Sequence, residues 1–314
     1  MRERLIRTST VRMTTSEPES VQPPSGVVVI DKPAGWTSHQ VVGRIRRLAG
    51  TRKVGHAGTL DPMATGVLVI GIGKATRLLG YLALTEKAYQ ATIRLGISTV
   101  TDDAEGEVIA SVAAHGVTDD QIETALGSLR GELMQAPSAV SAIKIGGVRS
   151  YAKVRSGQDV TLASRPVIIR RFEVVGRHDQ EVDGVAAVDL DVVVKCSSGT
   201  YVRALARDLG IALGTGGHLT ALRRTWVGPF TLKEAQTLEQ VERGLRIVPI
   251  EDVVRTCFTT MMVDKTQASL IRNGRRLAGV ILPDEAAALF NEAGAFLALY
   301  RQEGPDAVAE AVFV

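Results

Sequence analysis

The chain is poor in the residues that would tie it to an oxidising compartment, a metal or a membrane. Its 314 residues include two cysteines, Cys196 and Cys257, far apart and in no CxxC pair. That argues against a disulfide framework or a thiolate zinc site and suits a reducing, cytoplasmic compartment. The five histidines (His39, His56, His115, His178, His218) form no HxxxH or HExxH pair, so no metal is expected. No apolar run approaches the ~18–20 residues of a membrane-spanning helix, and no long apolar segment marks a secretory signal. A phosphate loop is missing too. Around Lys74 the spacing puts Leu68 where the first Walker glycine belongs and Ala75 where Ser or Thr must follow the lysine.

What the chain does have is segregated charge. The net charge is only +3, but residues 26–60 carry six basic side chains against Asp31 alone. Residues 102–135 carry eight acids against Arg130 alone, and residues 136–177 return to eight bases against Asp159 and Glu173. Two basic blocks around an acidic one suit a face turned towards a phosphate backbone. A merely solvated, arginine-rich surface is the alternative.

Residues 1–25 are polar and Ser/Thr/Pro-rich, and are expected to be disordered. Residues 26–30 read as a buried strand, and Thr37 or Ser38 caps a helix running to about Ala49. Residues 67–70 read as a strand, as do residues 89–96, with Tyr89, Ala91, Ile93 and Leu95 on one side. The acids Asp102, Asp103, Glu105 and Glu107 miss the EF-hand spacing and read as a solvated hairpin or loop. A helix over residues 119–129, capped by Thr118, follows. Residues 135–160 read as a basic surface loop with Lys144, Arg149, Lys153 and Arg155. Strands over residues 165–175 and 185–196 lead to a helix over 201–213, with Tyr201 and Arg203 at the strand-to-helix junction. From residue 249 a small β-rich domain is expected, with short β runs at 280–282 and 296–300.

The stretch that organises the chain is residues 55–66, GHAGTLDPMATG. Three glycines allow positive φ or close backbone approach. Pro62 pushes Asp61 out of the helical region. A short carboxylate held this way suits a catalytic group. An ordinary Asx turn before a proline is the other reading.

The motifs GHAGTLDPMATG, Lys87-Ala88-Tyr89, SSGTYVRALARDLG and Leu222–Arg224 occur in one order, joined by GVVVIDKPAGWTSH and PSAVSAIKIGGVRSYAKVRSG. Together they resemble the TruB family of tRNA pseudouridine synthases over about residues 26–245. The resemblance implies an α+β pseudouridine synthase fold, with a mixed, mostly antiparallel central sheet flanked by helices and a small PUA-like C-terminal domain. It implies domains at 26–248 and 249–314, with a thumb loop at 135–160. It also implies a cofactor-free isomerase, here expected to be a monomer, that turns the T-loop uridine of tRNA (uridine 55, in the T-arm stem-loop) into pseudouridine. Asp61 matches the catalytic aspartate. Tyr89 matches the aromatic on the flipped base, whose hydroxyl is a candidate acceptor for the proton leaving the base carbon. Tyr201 and Arg203 match the pair around the aspartate, with Arg203 bridging its carboxylate. Leu222 matches the apolar residue closing the pocket. His56 matches a histidine meeting the T-loop, and Lys32, Lys74, Lys144, Arg149, Lys153 and Arg155 are candidate RNA contacts. The competing readings are a non-catalytic RNA-binding or RNA-folding module and a guide-RNA-dependent synthase of the dyskerin type.

Overall fold

The computed structural model describes residues 9–10, 25–138, 144–145, 148–149 and 163–314. In chain order, short elements aside, the elements are β1 (Gly26–Lys32), α1 (Ser38–Leu48), β2 (Val54–Ala57), β3 (Thr65–Ile72), β4 (Lys87–Leu95), β5 (Ile97–Thr99), β6 (Val108–Ser111), α2 (Asp119–Ser128) and β7 (Gly131–Gln135). They continue with β8 (Arg165–Val182), β9 (Val185–Cys196), α3 (Val202–Ala212), β10 (Gly217–Val227), α4 (Leu238–Arg243), β11 (Arg246–Pro249) and α5 (Ile250–Cys257). The last are β12 (Thr259–Val263), α6 (Lys265–Arg272), β13 (Ala286–Asn291), β14 (Phe296–Glu303) and β15 (Asp306–Val312). The chain divides into two compact units. One holds the residues up to Leu60, Leu68–Ala83 and Gly228–Val314; the other holds Asp61–Val67 and Leu84–Val227.

The second unit is built on a mixed sheet. Its strands β10, β4, β9, β8 and β7 lie side by side, each antiparallel to the next. The start of β3 adds one parallel pair, Thr65 and Gly66 against Arg223 and Arg224. The period-2 pattern of β4 is realised as expected: Tyr89, Ala91, Ile93 and Leu95 are buried on one side, while Gln90 is exposed. Helix α3 buries Val202, Ala204, Leu205, Ala206 and Leu209.

In the first unit, β1 pairs antiparallel with β11, and β2 pairs antiparallel with the end of β3. Strand β1 is buried at Val27, Val28, Val29 and Ile30, as its unbroken apolar run requires. Among the described residues four helices begin in the same way. Thr37, Thr118, Thr237 and Asp264 each form a capping box with a glutamine three residues on. Each such cap satisfies two end groups and is worth about 1 kcal/mol.

The C-terminal sheet runs β12-β13-β14-β15, with the first pair parallel and the others antiparallel. Its core includes Val263, Ile271, Leu289, Leu297 and Tyr300. One expectation is corrected here. Residues 280–282 are not a strand; the strand lies at Ala286–Asn291, whose alanines carry little β preference and are recruited by pairing with β14. The segment is β-rich as expected, with helices α5 and α6 beside its four strands. Within the segment expected to be disordered, Ser9 and Thr10 pair with Ile247 and Arg246.

Candidate active site

The loop after β2 is fixed at both ends. Ser38 is buried, and its hydroxyl donates to the Leu60 carbonyl (3.1 Å) and accepts from the Leu60 N–H (2.9 Å). Asp61 follows, and its carbonyl accepts from the Ala64 N–H at 3.1 Å. At the far end Gly66 has φ +99°, and a Cβ there would lie 2.1 Å from the Arg224 carbonyl oxygen. Only glycine meets both conditions.

Asp61 is held by Arg203 from the first turn of α3. Nε of Arg203 lies 3.0 Å from Oδ2 of Asp61, and Nη2 donates to Oδ1 at 3.4 Å. The guanidinium is itself buried and anchored: Nη1 donates to the Thr101 carbonyl (2.9 Å) and meets Asp103 Oδ2 (3.4 Å). One turn along α3, Arg207 reaches Asp102 (3.3 Å). Two consecutive aspartates thus hold two arginines one turn apart. Such a fork fixes the direction of the Asp61 carboxylate.

The acidic segment is the expected hairpin, with Glu105 and Glu107 exposed, but its reading as solvated is corrected for the other two acids. Asp102 and Asp103 are 9% and 3% exposed. Asp103 also accepts from the Thr101 hydroxyl and from the Glu105 N–H. Asp102 adopts φ +59°, and burial pushes its carboxyl up from the usual range. Neither residue was expected in the site. A pair of adjacent acids beside Thr99 and Thr101, away from any local base, was the available signal.

Tyr89 lies opposite Arg224, and Ala91 opposite Leu222, in the β4–β10 ladder. Opposed side chains share a face of the sheet, so all four stand on one side. Tyr89 and Leu222 are buried, at 7% and 8% exposure. Burial pushes the Tyr89 phenol up to about 12, opposed by a hydrogen bond from Arg224; the nearby Asp61 charge adds to the rise. At neutral pH the ring presents a neutral π face. Arg224 is fully buried, and its Nε donates to the Val67 carbonyl at 2.7 Å. Its importance was missed although the LRR motif contains it; an arginine two residues after Leu222 in a strand must share that buried face. Tyr201 stands at the N-cap of α3, with the Arg165 guanidinium 4.4 Å from its ring centroid.

Beside Tyr89 on the same strand, Lys87 is buried, and burial with the Arg224 charge pushes its ammonium down to about 8. In the unfolded chain a lysine keeps its proton to about 10.4. Between these values the unfolded state binds more protons, so stability rises with pH. Lys87→Met is expected to remove a rise in unfolding free energy on the order of 2 kcal/mol between about pH 7.5 and pH 10. Denaturant melts of both proteins across that range check this.

Three expected RNA contacts belong to the first unit. Lys32 is fully buried and donates to the carbonyls of Pro33 (3.0 Å) and Trp36 (2.6 Å). The expectation that it faces RNA is corrected: its ammonium holds the turn after β1. Lys74 is exposed and donates to the Phe313 carbonyl at 2.6 Å. His56 is half-buried in β2, its ring edge-on to His39 with centroids 5.6 Å apart. Of the basic loop, Lys144 and Arg149 pair through their backbones, while Lys153 and Arg155 lie outside the described residues.

Residues 46–202 match the family model described as TruB family pseudouridylate synthase (N terminal domain), and residues 203–288 match the tRNA pseudouridylate synthase B C-terminal domain. The chain is similar to tRNA pseudouridine synthase B of Arthrobacter sp. (strain FB24), at 60% identity over 87% of this chain and 89% of the relative. It is also similar to the protein of that name from Paenarthrobacter aurescens (strain TC1), at 54% identity over 92% and 95%. A chain in the crystal structure of the archaeal box H/ACA sRNP Nop10–Cbf5 complex superposes with a TM-score of 0.65 at 24% identity, covering 95% of this chain and 89% of that one. That last likeness is one of fold. The far higher identity to proteins named for tRNA does not favour the guide-RNA-dependent alternative. With these relatives and the two matched models, the chain belongs to the TruB family of pseudouridylate synthases, enzymes that isomerise uridine to pseudouridine.

Proposed function

We infer that this enzyme acts on the T-loop uridine of tRNA, uridine 55, with Asp61 as the covalent catalyst. The observation that carries the reading is the Arg203 fork on Asp61, a carboxylate aimed by a buried guanidinium and left 35% exposed. The base must leave its stack before its reacting atoms can be reached. Tyr89 then offers a neutral π face, worth ~1–3 kcal/mol for a stacked base. Leu222, on the same side of the sheet, closes the pocket. The Asp61 carboxylate forms a covalent bond to the nucleotide, and the N1–C1′ bond breaks. The uracil turns, C5 bonds to C1′, the bond to Asp61 breaks and returns the carboxylate, C5 loses its proton to solvent and N1 gains one. Atoms and electrons balance without a cofactor.

The basic segments of the chain supply phosphate contacts that position the stem-loop. The domain at 26–248 carries the chemistry, and the domain at 249–314, read as PUA-like, lies outside it. The enzyme works as a cytoplasmic monomer. The test uses an unmodified T-arm stem-loop tritiated at C5 of its uridines. Release is expected to reach one tritium per stem-loop and to vanish when the target uridine is replaced by cytidine. Equal release from the cytidine loop would overturn the assignment of the site.

A further inference from the structure

Gln135 ends β7 and is 3% exposed. Its amide meets the backbone of Tyr201 from both sides. Nε2 donates to the Tyr201 carbonyl at 3.1 Å, and Oε1 accepts from the Tyr201 N–H at 2.8 Å. One side chain thus makes the reciprocal bridge that two strands make. Tyr201 is the N-cap of α3 and has no side-chain cap bond of its own. A second tie lies close by, where Nη2 of Arg207 donates to the Ala136 carbonyl at 2.8 Å. The end of β7 is therefore fastened to α3 both at its start and along its first turns.

We propose that Gln135 is a positioning residue for the Asp61–Arg203 pair. It sets where α3 begins, and Arg203 stands two residues further on. Any displacement of the helix start is carried to the guanidinium, whose fork on Asp61 has distances of 3.0 and 3.4 Å and little slack. Few side chains can do this. The bridge needs a donor and an acceptor in one plane, which only Gln and Asn carry as a neutral amide. Asn is one methylene short. An ionised Glu cannot donate to the Tyr201 carbonyl. An apolar residue leaves two backbone groups of Tyr201 without this partner.

The inference rests on the reading of Asp61 as the catalyst. Gln135→Met is compared with the wild type in single-turnover tritium release at saturating stem-loop, in melting temperature, and in tRNA affinity measured on an Asp61→Asn background. The release rate is expected to fall about 10- to 100-fold, with affinity within about threefold, because the change acts on alignment at the reacting centre. Since Gln135 acts through Arg203, its effect should shrink when Arg203 is already lysine. A rate equal to wild type, a loss confined to affinity, or effects that simply multiply with Arg203→Lys would each overturn the role. If Gln135→Met does not fold, Gln135→Asn carries the same comparison with both polar groups kept. Wild-type release by Asp61→Asn overturns the reading of Asp61, and the proposal with it. A dead Asp61→Asn beside a fully active Gln135→Met overturns the Gln135 role alone.

Discussion

Asp61→Asn is expected to cut tritium release from the stem-loop by about four orders of magnitude or more while leaving tRNA affinity within about threefold. The substitution is nearly isosteric, so the shape of the loop between Leu60 and Pro62 is kept. What it removes is the anionic oxygen that the proposed mechanism bonds to the nucleotide. An amide is a far weaker nucleophile. Asp103, which shares Arg203 with Asp61, is 3% exposed, and its oxygens are engaged by Arg203, the Thr101 hydroxyl and the Glu105 N–H. The fold should survive, because Arg203 keeps Asp103 and the Thr101 carbonyl. Asp61 is also the partly exposed member of the pair, so its neutralisation leaves no buried anion unpaired. A melting temperature within a few degrees of wild type, with tRNA still bound, separates lost chemistry from lost structure. A non-catalytic RNA-binding module predicts a different pattern: no release by the wild type either. Undiminished release by Asp61→Asn would remove Asp61 from the mechanism.

The parts of this site that were legible in the sequence are the local ones. Residues 55–66 announce a constrained loop because glycines and Pro62 act on their own backbone, and that effect does not depend on the rest of the fold. Strand β4 was legible for the same reason, since alternation at Tyr89, Ala91, Ile93 and Leu95 is written in consecutive residues. The bridge from Arg203 to Asp61 was not derivable from spacing: 142 positions separate the two, and only the family resemblance joined them. Asp103 and Arg203 also lie beyond the reach of local pattern, and Asp103 stands in no motif of the resemblance, so in sequence it reads like the exposed Glu105 and Glu107. Lys32 shows the converse error. A lysine in a basic block reads as a surface charge, yet nearby carbonyls of Pro33 and Trp36 can hold its ammonium in a buried turn. Charge composition describes segments well and individual side chains poorly, because burial of a charge is decided by partners that composition does not show.

Arg203→Met is expected to lower both stability and rate, and the two losses have different causes. Removing the guanidinium strips Asp103 of its cation at 3% exposure and the Thr101 carbonyl of a donor. Breaking a buried pair from one side costs about 3–5 kcal/mol, read as a fall in the denaturation midpoint. The rate loss, on the order of a thousandfold, comes from Asp61, which is no longer aimed. Arg203→Lys separates the two. Its ammonium restores a positive charge near Asp103, so stability should largely return. One nitrogen cannot reproduce a fork that spans both oxygens of Asp61, Asp103 and the Thr101 carbonyl, so the rate should stay well below wild type. Adding Asp103→Asn to Arg203→Met should recover part of the lost stability, because the unpaired buried charge is gone, and none of the lost rate. Recovery of rate in that double variant would mean that Asp103, and not the aim of Asp61, limits the reaction. An Arg203→Met enzyme within tenfold of the wild-type rate would show that the fork serves folding alone.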